Sequence, residues 1–182
     1  MTSKSNYVIG NWKMNLGVAD GVALARELNA GLSPNPTTAV WIAPPSLTLP
    51  AVAMELQASS VKVGAQNLHW ESNGAYTGEI SAEMLTEHAG HFAIIGHSER
   101  RTHFGETNET AAMRAIATIE AGLIAAFCIG ETERERTDNR TQEVLSSQLD
   151  PLLSQINDPR RASSLLLLSL IHISEPTRLD GI

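Results

Sequence analysis

The 182-residue sequence has little of several features that mark particular classes of protein. Its single cysteine, Cys128, excludes an internal disulfide framework and suits a reducing compartment. Lys and Arg number 13 against 20 Asp and Glu, so the net charge of -7 leaves no basic surface for nucleic acid. The longest apolar run, residues 165–173, is too short to span a bilayer, and the polar start has no secretory signal core. We therefore expect a cytoplasmic protein that binds neither nucleic acid nor membrane.

Two nucleotide-binding signatures are missing as well. No Gly-rich dinucleotide fingerprint follows the first apolar run, and no Gly-Lys-Ser/Thr phosphate loop occurs. Short apolar runs instead alternate with amphipathic stretches as far as about residue 157. The runs predict strands at residues 7–10, 38–43, 61–66, 91–96 and 123–129. This alternation is typical of a parallel sheet with helical crossovers, and it favours an α/β barrel or part of one.

The stretches between the predicted strands carry apolar residues at helical spacing. They predict helices at residues 18–32, 46–57, 81–88, 107–121 and 142–156, with Ser46 capping the second. The predicted inward stripes include Val18 and Leu32 in the first helix, Met113 in the fourth and Leu153 in the last. Residues 67–79 are predicted to form a long loop, and loops of that length are often functional.

One polar cluster directly follows the fourth predicted strand. The run Ala93-Ile94-Ile95-Gly96 ends in His97-Ser98-Glu99-Arg100, and Ser98 is expected to cap a short helix. His97 would then lie at the carboxyl end of a strand, where α/β folds place their chemistry. The adjacent helix N-terminus disfavours a protonated imidazole, so His97 could act as a neutral hydrogen-bond donor. The alternative is a packing or capping histidine.

A second polar pair follows the first predicted strand. Side chains alternate along an extended chain, so Asn11 and Lys13 are expected to point one way and Trp12 and Met14 the other. An amide and an ammonium that project together could hold an anionic oxygen. The alternative is a solvated lysine at the edge of a loop.

Two further hypotheses concern residue types that often carry chemistry. The histidines at positions 88, 91, 97 and 103 lie close in sequence, but their spacing matches no zinc signature, so we expect no metal site. Cys128 lies inside an apolar strand, and we interpret it as a packing residue and not as a nucleophile. Residues Glu133 to Arg136 form a charge run that we expect to be a solvated face.

Four short motifs together resemble the triosephosphate isomerase family. They are Gly10-Asn11-Trp12-Lys13-Met14-Asn15, Gly64-Ala65-Gln66-Asn67 continuing to Gly74-Ala75-Tyr76-Thr77-Gly78-Glu79, Ile95-Gly96-His97-Ser98-Glu99-Arg100-Arg101, and Cys128-Ile129-Gly130-Glu131-Thr132. The resemblance covers residues 6–161. It implies a TIM (β/α)₈ barrel that acts as a homodimer without a cofactor and interconverts dihydroxyacetone phosphate and D-glyceraldehyde 3-phosphate, a step of glycolysis and gluconeogenesis.

The resemblance also implies roles for individual residues. Lys13 resembles the substrate-binding cation that stabilises the phosphate and the developing oxyanion, with Asn11 binding substrate beside it. His97 resembles the electrophile that polarises the carbonyl, a neutral histidine in this family. Glu99 is similar to the carboxylate close to the lysine. Thr77 resembles the residue at the loop tip that reaches into the neighbouring subunit's site.

The carboxyl-terminal part departs from the family's pattern. The family's base is a Glu-Pro pair that opens a lid, but Glu175-Pro176 is followed by Thr177-Arg178 and not by the expected Trp and Gly-Thr-Gly hinge. We interpret residues 1–162 as an incomplete barrel of about five βα units, and residues 163–182 as a non-matching tail of the kind that translated sequencing-adapter DNA produces. The alternative is a real sixth strand at residues 165–173. Without base, lid and phosphate loops, we expect the chain as written to be unstable and inactive.

Two other functions remain open from the sequence. One is a non-catalytic half-barrel that uses the 67–79 loop for protein interaction, although such a module has no need of Asn11, Lys13, His97 and Glu99 together. The other is a different barrel enzyme that handles a phosphorylated substrate. Binding of a substrate analogue such as phosphoglycolate would separate an enzyme site from an interaction module.

Overall fold

The fold is a curled parallel sheet with helices packed on its outer face. The computed structural model describes residues 6–33 and 37–169. Six strands occur in the described residues: β1 (Asn6–Asn11), β2 (Thr38–Ala43), β3 (Lys62–Ala65), β4 (Phe92–Ile95), β5 (Ile124–Ile129) and β6 (Leu165–Ser169). They lie in sequence order, and each pairs in parallel with the next. This order is that of a (β/α) barrel, and the five strands predicted from the apolar runs are confirmed.

Eight helices connect the strands within the described residues. They are α1 (Val18–Gly31), α2 (Leu49–Glu55), α3 (Ala82–Glu87), α4 (Ser98–Phe104), α5 (Asn108–Glu120), α6 (Glu133–Thr137), α7 (Thr141–Leu153) and α8 (Pro159–Ser163). None of these helices is long and apolar enough to cross a bilayer. The charge run 133–136 forms α6, which has no buried residue, so its prediction as a solvated face is confirmed.

Alternation along the strands divides the core into two clusters. Phe92 and Ile94 of β4 point into the concave side of the sheet, where they meet Trp41, Ala126 and Cys128. Their neighbours Ala93 and Ile95 point outward and pack against the helices. The concave cluster is the interior of the partial barrel. Cys128 is 1% exposed there, which confirms it as a packing residue.

The sixth strand lies in the segment assigned above to a non-matching tail. Leu165 to Ser169 pair in register with Ala125 to Ile129 of β5. Leu166 and Leu168 pack on the concave cluster and Leu165 on the outer one, as period-two alternation requires. The described part of the alternative strand at 165–173 therefore exists, and Glu175-Pro176 lies outside the described residues. The domain boundary at residue 162 stays a prediction.

Two predicted helix N-caps are wrong. Helix α2 begins at Leu49 with Thr48 as its N-cap, so Ser46 does not cap it. The Thr48 hydroxyl donates to the carbonyl of Leu16 across the α1 connection, a contact that fixes the helix start from outside the local sequence. Helix α4 is capped by His97 and not by Ser98, because the His97 ring accepts from the Glu99 amide.

Four helix side chains predicted to face the core are exposed instead. The side chains predicted to face inward but found exposed are Val18, Leu32, Met113 and Leu153. The central members of the α1 stripe, Val22, Ala25 and Leu28, do pack on the core. Three of these four residues lie at helix ends: Val18 begins α1, Leu32 follows its last residue and Leu153 ends α7. In α5 the inward position next to Met113 is taken by Arg114, a buried charge that apolar periodicity did not predict.

Candidate active site

The polar residues singled out in the sequence line one cavity at the carboxyl ends of the strands. The cavity has a volume of about 460 Å³ and is lined by Asn11, Lys13, Thr77, His97 and Glu99. Asn11 ends β1, Lys13 follows it, and His97 and Glu99 follow β4. Because carboxyl ends of parallel strands meet at the same end of a barrel, residues far apart in sequence converge there.

The backbone around His97 fixes the direction of its ring. The Glu99 amide donates to His97 Nδ1 at 3.2 Å, so Nδ1 is the unprotonated nitrogen and Nε2 carries the proton. Burial is the largest cause that lowers the His97 pKa below its usual range, and the charge of Lys13 adds to it. Glu99 Oε2 lies 3.6 Å from Nδ1, an ion pair only if the ring is protonated. The amide donor and the lowered pKa favour the neutral imidazole.

Lys13 and Glu99 form a close ion pair across the cavity. Lys13 Nζ lies 2.6 Å from Glu99 Oε1, and both side chains remain partly exposed, at 45% and 40%. The hydrogen bond from Lys13 is the largest cause that lowers the Glu99 pKa. Glu99 is therefore a carboxylate that holds the ammonium in the cavity. A solvated lysine at a loop edge is not what the structure shows.

Lys13 departs from the extended conformation assumed for it. Its φ of 52° is left-handed, a conformation that costs a non-glycine residue about 1–2 kcal/mol. Its amide donates to Asn11 Oδ1 at 3.0 Å, so Asn11 supports the turn as well as lining the cavity. Strict alternation ends at Asn11, and Met14 consequently lines the same cavity as Lys13. The predicted shared direction of Asn11 and Lys13 is confirmed, but the opposite direction predicted for Met14 is wrong.

Gln66 is a site residue to which the sequence analysis gave no role. Its side-chain Nε2 donates to the carbonyls of Lys13 and Ala43, each at 2.8 Å. It therefore ties the left-handed turn of Lys13 to the end of β2. The available signal was its position directly after β3 in the third polar strand end of the chain.

The long loop is confirmed and stabilised by its own side chains. His69 is 5% exposed and stacks between Trp70 and Tyr76, with ring centroids at 4.0 and 4.2 Å. Its Nδ1 accepts from the Glu71 amide, so this histidine is a structural part of the loop. Thr77, at the loop tip, lines the cavity of its own chain. Its reach into a neighbouring subunit stays a prediction.

The histidines and the cysteine were considered above for metal binding and for nucleophilic chemistry. Among residues 6–33 and 37–169, no group of three or more His, Cys, Asp or Glu side chains is placed to hold a metal ion. His91 and His97 lie at opposite ends of β4, and His91 Nε2 instead faces Lys62 Nζ at 3.2 Å. Burial raises the Cys128 pKa to about 12, which leaves its thiol protonated.

Comparison with known proteins gives one consistent family. The family model described as triosephosphate isomerase matches residues 6–167. A triosephosphate isomerase of Clostridium botulinum (strain ATCC 19397 / Type A) is 44% identical over 154 residues, which cover 85% of this chain and 62% of that protein. An L-erythrulose-1-phosphate isomerase of Rhizobium rhizogenes is 41% identical over 169 residues, covering 92% and 65%.

A solved structure agrees with the sequence comparisons. The crystal structure of triosephosphate isomerase from Bartonella henselae matches with a TM-score of 0.82 and 35% identity, covering 90% of this chain and 67% of that one. The chain thus spans less than two thirds of the length of the curated relatives given above.

Proposed function

Because the chain belongs to the triosephosphate isomerase family, we propose that it carries the electrophilic half of a triose-phosphate isomerase site. The reaction is the interconversion of dihydroxyacetone phosphate and D-glyceraldehyde 3-phosphate through an enediolate. The observation that carries the proposal is that His97 Nδ1 accepts from the Glu99 amide, which leaves Nε2 to carry the proton, in the same cavity as Lys13.

The proposed chemistry follows from those two groups. The His97 Nε2 proton donates to the substrate carbonyl, and the resulting polarisation makes the adjacent C–H more acidic. As the enediolate forms, its negative oxygen is stabilised by the imidazole and by Lys13. A neutral imidazole suits this task because it is a weak acid whose strength is close to that of an enediol, so a proton can move between the two substrate oxygens.

Asn11 and Glu99 are proposed to hold Lys13 for this role. Glu99 accepts a hydrogen bond from Lys13 Nζ, and Asn11 accepts one from the Lys13 amide. Substrate phosphate would compete with Glu99 for the ammonium, and both side chains are exposed enough to move. The proposed role of this chain is to bind the substrate and polarise its carbonyl, and it does not include the base that takes the proton from carbon.

The test measures binding and turnover separately. Phosphoglycolate is titrated into the 182-residue chain by NMR, with Lys13→Met and His97→Gln as variants and Arg134→Met as a surface control. We expect loss of binding in Lys13→Met, weaker binding in His97→Gln and no change in Arg134→Met. Equal binding in all four proteins, or none in the parent chain, would contradict the proposal. A coupled isomerase assay tests the expectation that this chain does not convert the triose phosphate.

A second substrate follows from one comparison. The relative named L-erythrulose-1-phosphate isomerase covers more of this chain than the Clostridium enzyme does, at similar identity. We propose the four-carbon ketose phosphate as the competing substrate class. Titration of L-erythrulose 1-phosphate beside dihydroxyacetone phosphate decides between them. Preference for the four-carbon compound would replace the triose assignment while keeping the roles of Lys13 and His97.

We also propose a homodimer formed around the cavity mouth. Three apolar side chains are strongly exposed next to the cavity or in the strand-end loops: Met14 at 96%, Leu47 at 89% and Phe104 at 69%. The Thr77 loop lies beside the same opening. Sedimentation of Phe104→Glu should show loss of the dimer, while Met54→Glu, on the exposed face of α2, should leave it intact. A monomeric parent chain, or equal effects of both variants, would contradict this interface.

We propose a cytoplasmic location as well. Its support is the family's place in glycolysis and the single cysteine, which is free. Fractionation of cells that express the tagged protein tests it, and recovery in a membrane or exported fraction would contradict it.

A further inference from the structure

We propose that Arg101 is a positioning residue for His97. The inference rests on the proposed function only in taking His97 as the reacting imidazole, because the positioning itself is a property of the free protein. Arg101 lies in α4, one turn after His97, and does not line the 460 Å³ cavity. Its contacts nevertheless hold the backbone on both sides of His97.

The first set of contacts goes to two successive carbonyls. Arg101 Nε donates to the carbonyl of Gly96 at 2.9 Å, and the Arg101 amide donates to the carbonyl of His97 at 3.2 Å. One residue therefore holds the peptide groups before and after the histidine. Glu99 holds the ring through Nδ1. Together these three bonds define where Nε2 points.

The second set of contacts anchors Arg101 to the helices behind the site. Its Nη1 donates to Asn108 Oδ1 at 2.6 Å, and Asn108 Nδ2 in turn donates to the carbonyl of Ser147 in α7 at 3.0 Å. Asn108 is the first residue of α5. The guanidinium thus bridges the His97 turn and the α5–α7 layer through two donors of its planar fork, which a lysine cannot do with one nitrogen.

The turn at Gly96 shows why such a brace is required. Gly96 has a φ of 74°, in the left-handed region, and a Cβ there would lie 3.1 Å from both Arg101 Nη2 and the Cys128 carbonyl. The backbone is left-handed at the residue before His97 and is closely packed on Arg101. Small shifts at a reacting group have large effects on rate, so a rigid support for this turn has a direct chemical purpose.

The experiment reads the imidazole directly. Histidine is labelled with ¹⁵N in the full chain, and His97 is assigned from the spectrum of His97→Gln. In the parent protein we expect Nδ1 to resonate as an unprotonated acceptor and Nε2 as a protonated nitrogen. In Arg101→Met both should move toward the averaged positions of a free imidazole. Arg140→Met, which removes an exposed arginine paired with Glu143, serves as the control.

Two further variants separate bracing from charge and from misfolding. Asn108→Ala cuts the anchor but keeps the Arg101 charge, and Arg101→Lys keeps the charge but has a single donor nitrogen in place of the planar fork. We expect a smaller shift of the same sense in Asn108→Ala and an intermediate shift in Arg101→Lys. Parent-like spectra in both would mean that only the charge matters and would overturn the proposal, even if Arg101→Met failed to fold.

Phosphoglycolate binding separates the positioning role of Arg101 from the proposed isomerase function. Phosphoglycolate affinity should fall in Arg101→Met in parallel with the tautomer signal. If the parent chain bound no phosphoglycolate but the tautomer still depended on Arg101, the positioning would stand and the isomerase assignment would fail. If binding were normal and the tautomer unchanged in Arg101→Met, the positioning would be overturned.

Discussion

His97 and His91 form a matched pair of histidines at opposite ends of one strand. Burial is the largest cause that lowers the pKa of each, and a lysine adds to it: Lys13 acts on His97 and Lys62 on His91. Glu99 and Glu106 act in the opposite direction on His97. We therefore expect Lys13→Met to raise the His97 pKa and to leave His91 unchanged. NMR titration of the two rings measures both values.

Lys62→Met is the control for that experiment. It should raise the pKa of His91 and leave that of His97 unchanged, because each lysine acts on its own histidine. A fall in the His97 pKa in Lys13→Met would show that the freed Glu99 does not behave as the geometry implies.

The lowered His97 pKa also gives stability a pH dependence with a definite sign. A histidine in the unfolded chain has a pKa of about 6.5, so just below that pH the unfolded chain binds more protons than the folded one. The contribution of His97 to the free energy of unfolding is therefore complete above the unfolded pKa and falls as the pH drops below it. The loss ends once the pH is below the folded pKa. Denaturant unfolding of the parent chain and of His97→Gln across this range isolates the contribution.

At the residue scale, motif and strand position predicted most of the site. Asn11, Lys13, His97 and Glu99 follow strands that apolar runs reveal, and they converge because the strands are parallel. The left-handed Lys13 could not be predicted, because alternation assumes an extended chain. The part played by Gln66 is a contact with two distant carbonyls, and a sequence pattern contains no information on such a contact.

Among the helices, α5 carries the most consequential buried charge of the described residues. Arg114 donates to the Leu68 carbonyl and to both Glu79 oxygens, and its side chain is only 9% exposed. Glu106, also buried, lies 3.6 Å from Arg114 Nε. Burial alone would raise the Glu79 pKa, but Arg114 reverses this and lowers it. One guanidinium therefore links both ends of the 67–79 loop to α5.

Arg114→Met should detach this loop and destabilise the fold. Removing one partner of a buried ion pair costs about 3–5 kcal/mol, because it leaves the other charge unpaired. We expect a lower urea midpoint and faster hydrogen exchange at the His69 amide, which bonds to the Ile80 carbonyl. The urea midpoint of Arg114→Lys should lie between those of the parent chain and Arg114→Met, because lysine keeps the charge but lacks the planar fork of arginine.

The control for Arg114 is Arg134→Met. Arg134 is 92% exposed and faces Asp138 on the surface of α6, so its loss should leave both the midpoint and the loop exchange unchanged. Unchanged exchange at His69 in Arg114→Met would show that the aromatic stack of the loop is sufficient without the arginine.

Elements were predicted more reliably than their faces. Strand and helix order follows from apolar periodicity, and each predicted element exists. Arg114 was missed, and Met113 was wrongly placed inward, because burial of a charge depends on acceptors from distant segments such as Leu68 and Glu79. The N-cap at Thr48 was missed for a similar reason, because its hydroxyl donates to the Leu16 carbonyl and not to a residue of its own helix.

For the whole molecule, the decisive property is that the sheet is open in its described part. β1 pairs with β2 and β6 pairs with β5, and within residues 6–33 and 37–169 no pairing joins β6 to β1. Tyr7, Val8 and Leu167 are about half exposed on these outer strands. Sequence order predicts a parallel barrel, but β6 lies in the segment interpreted as a tail because that segment departs from the family's pattern, with a strand at 165–173 as the alternative.

An open apolar strand is a template for pairing with another chain, and a lysine on it opposes that pairing. We therefore expect Leu167→Lys to reduce aggregation of the chain, measured by light scattering during a slow thermal ramp at several concentrations. Leu153→Lys is the matched control, since Leu153 is equally exposed, at 49% against 46%, but lies on helix α7. If both lysines suppressed scattering alike, general solubility and not strand pairing would be the cause. If Leu167→Lys had no effect and the parent chain melted cooperatively without scattering, the open edge would be harmless, and the expected instability of this chain would be wrong.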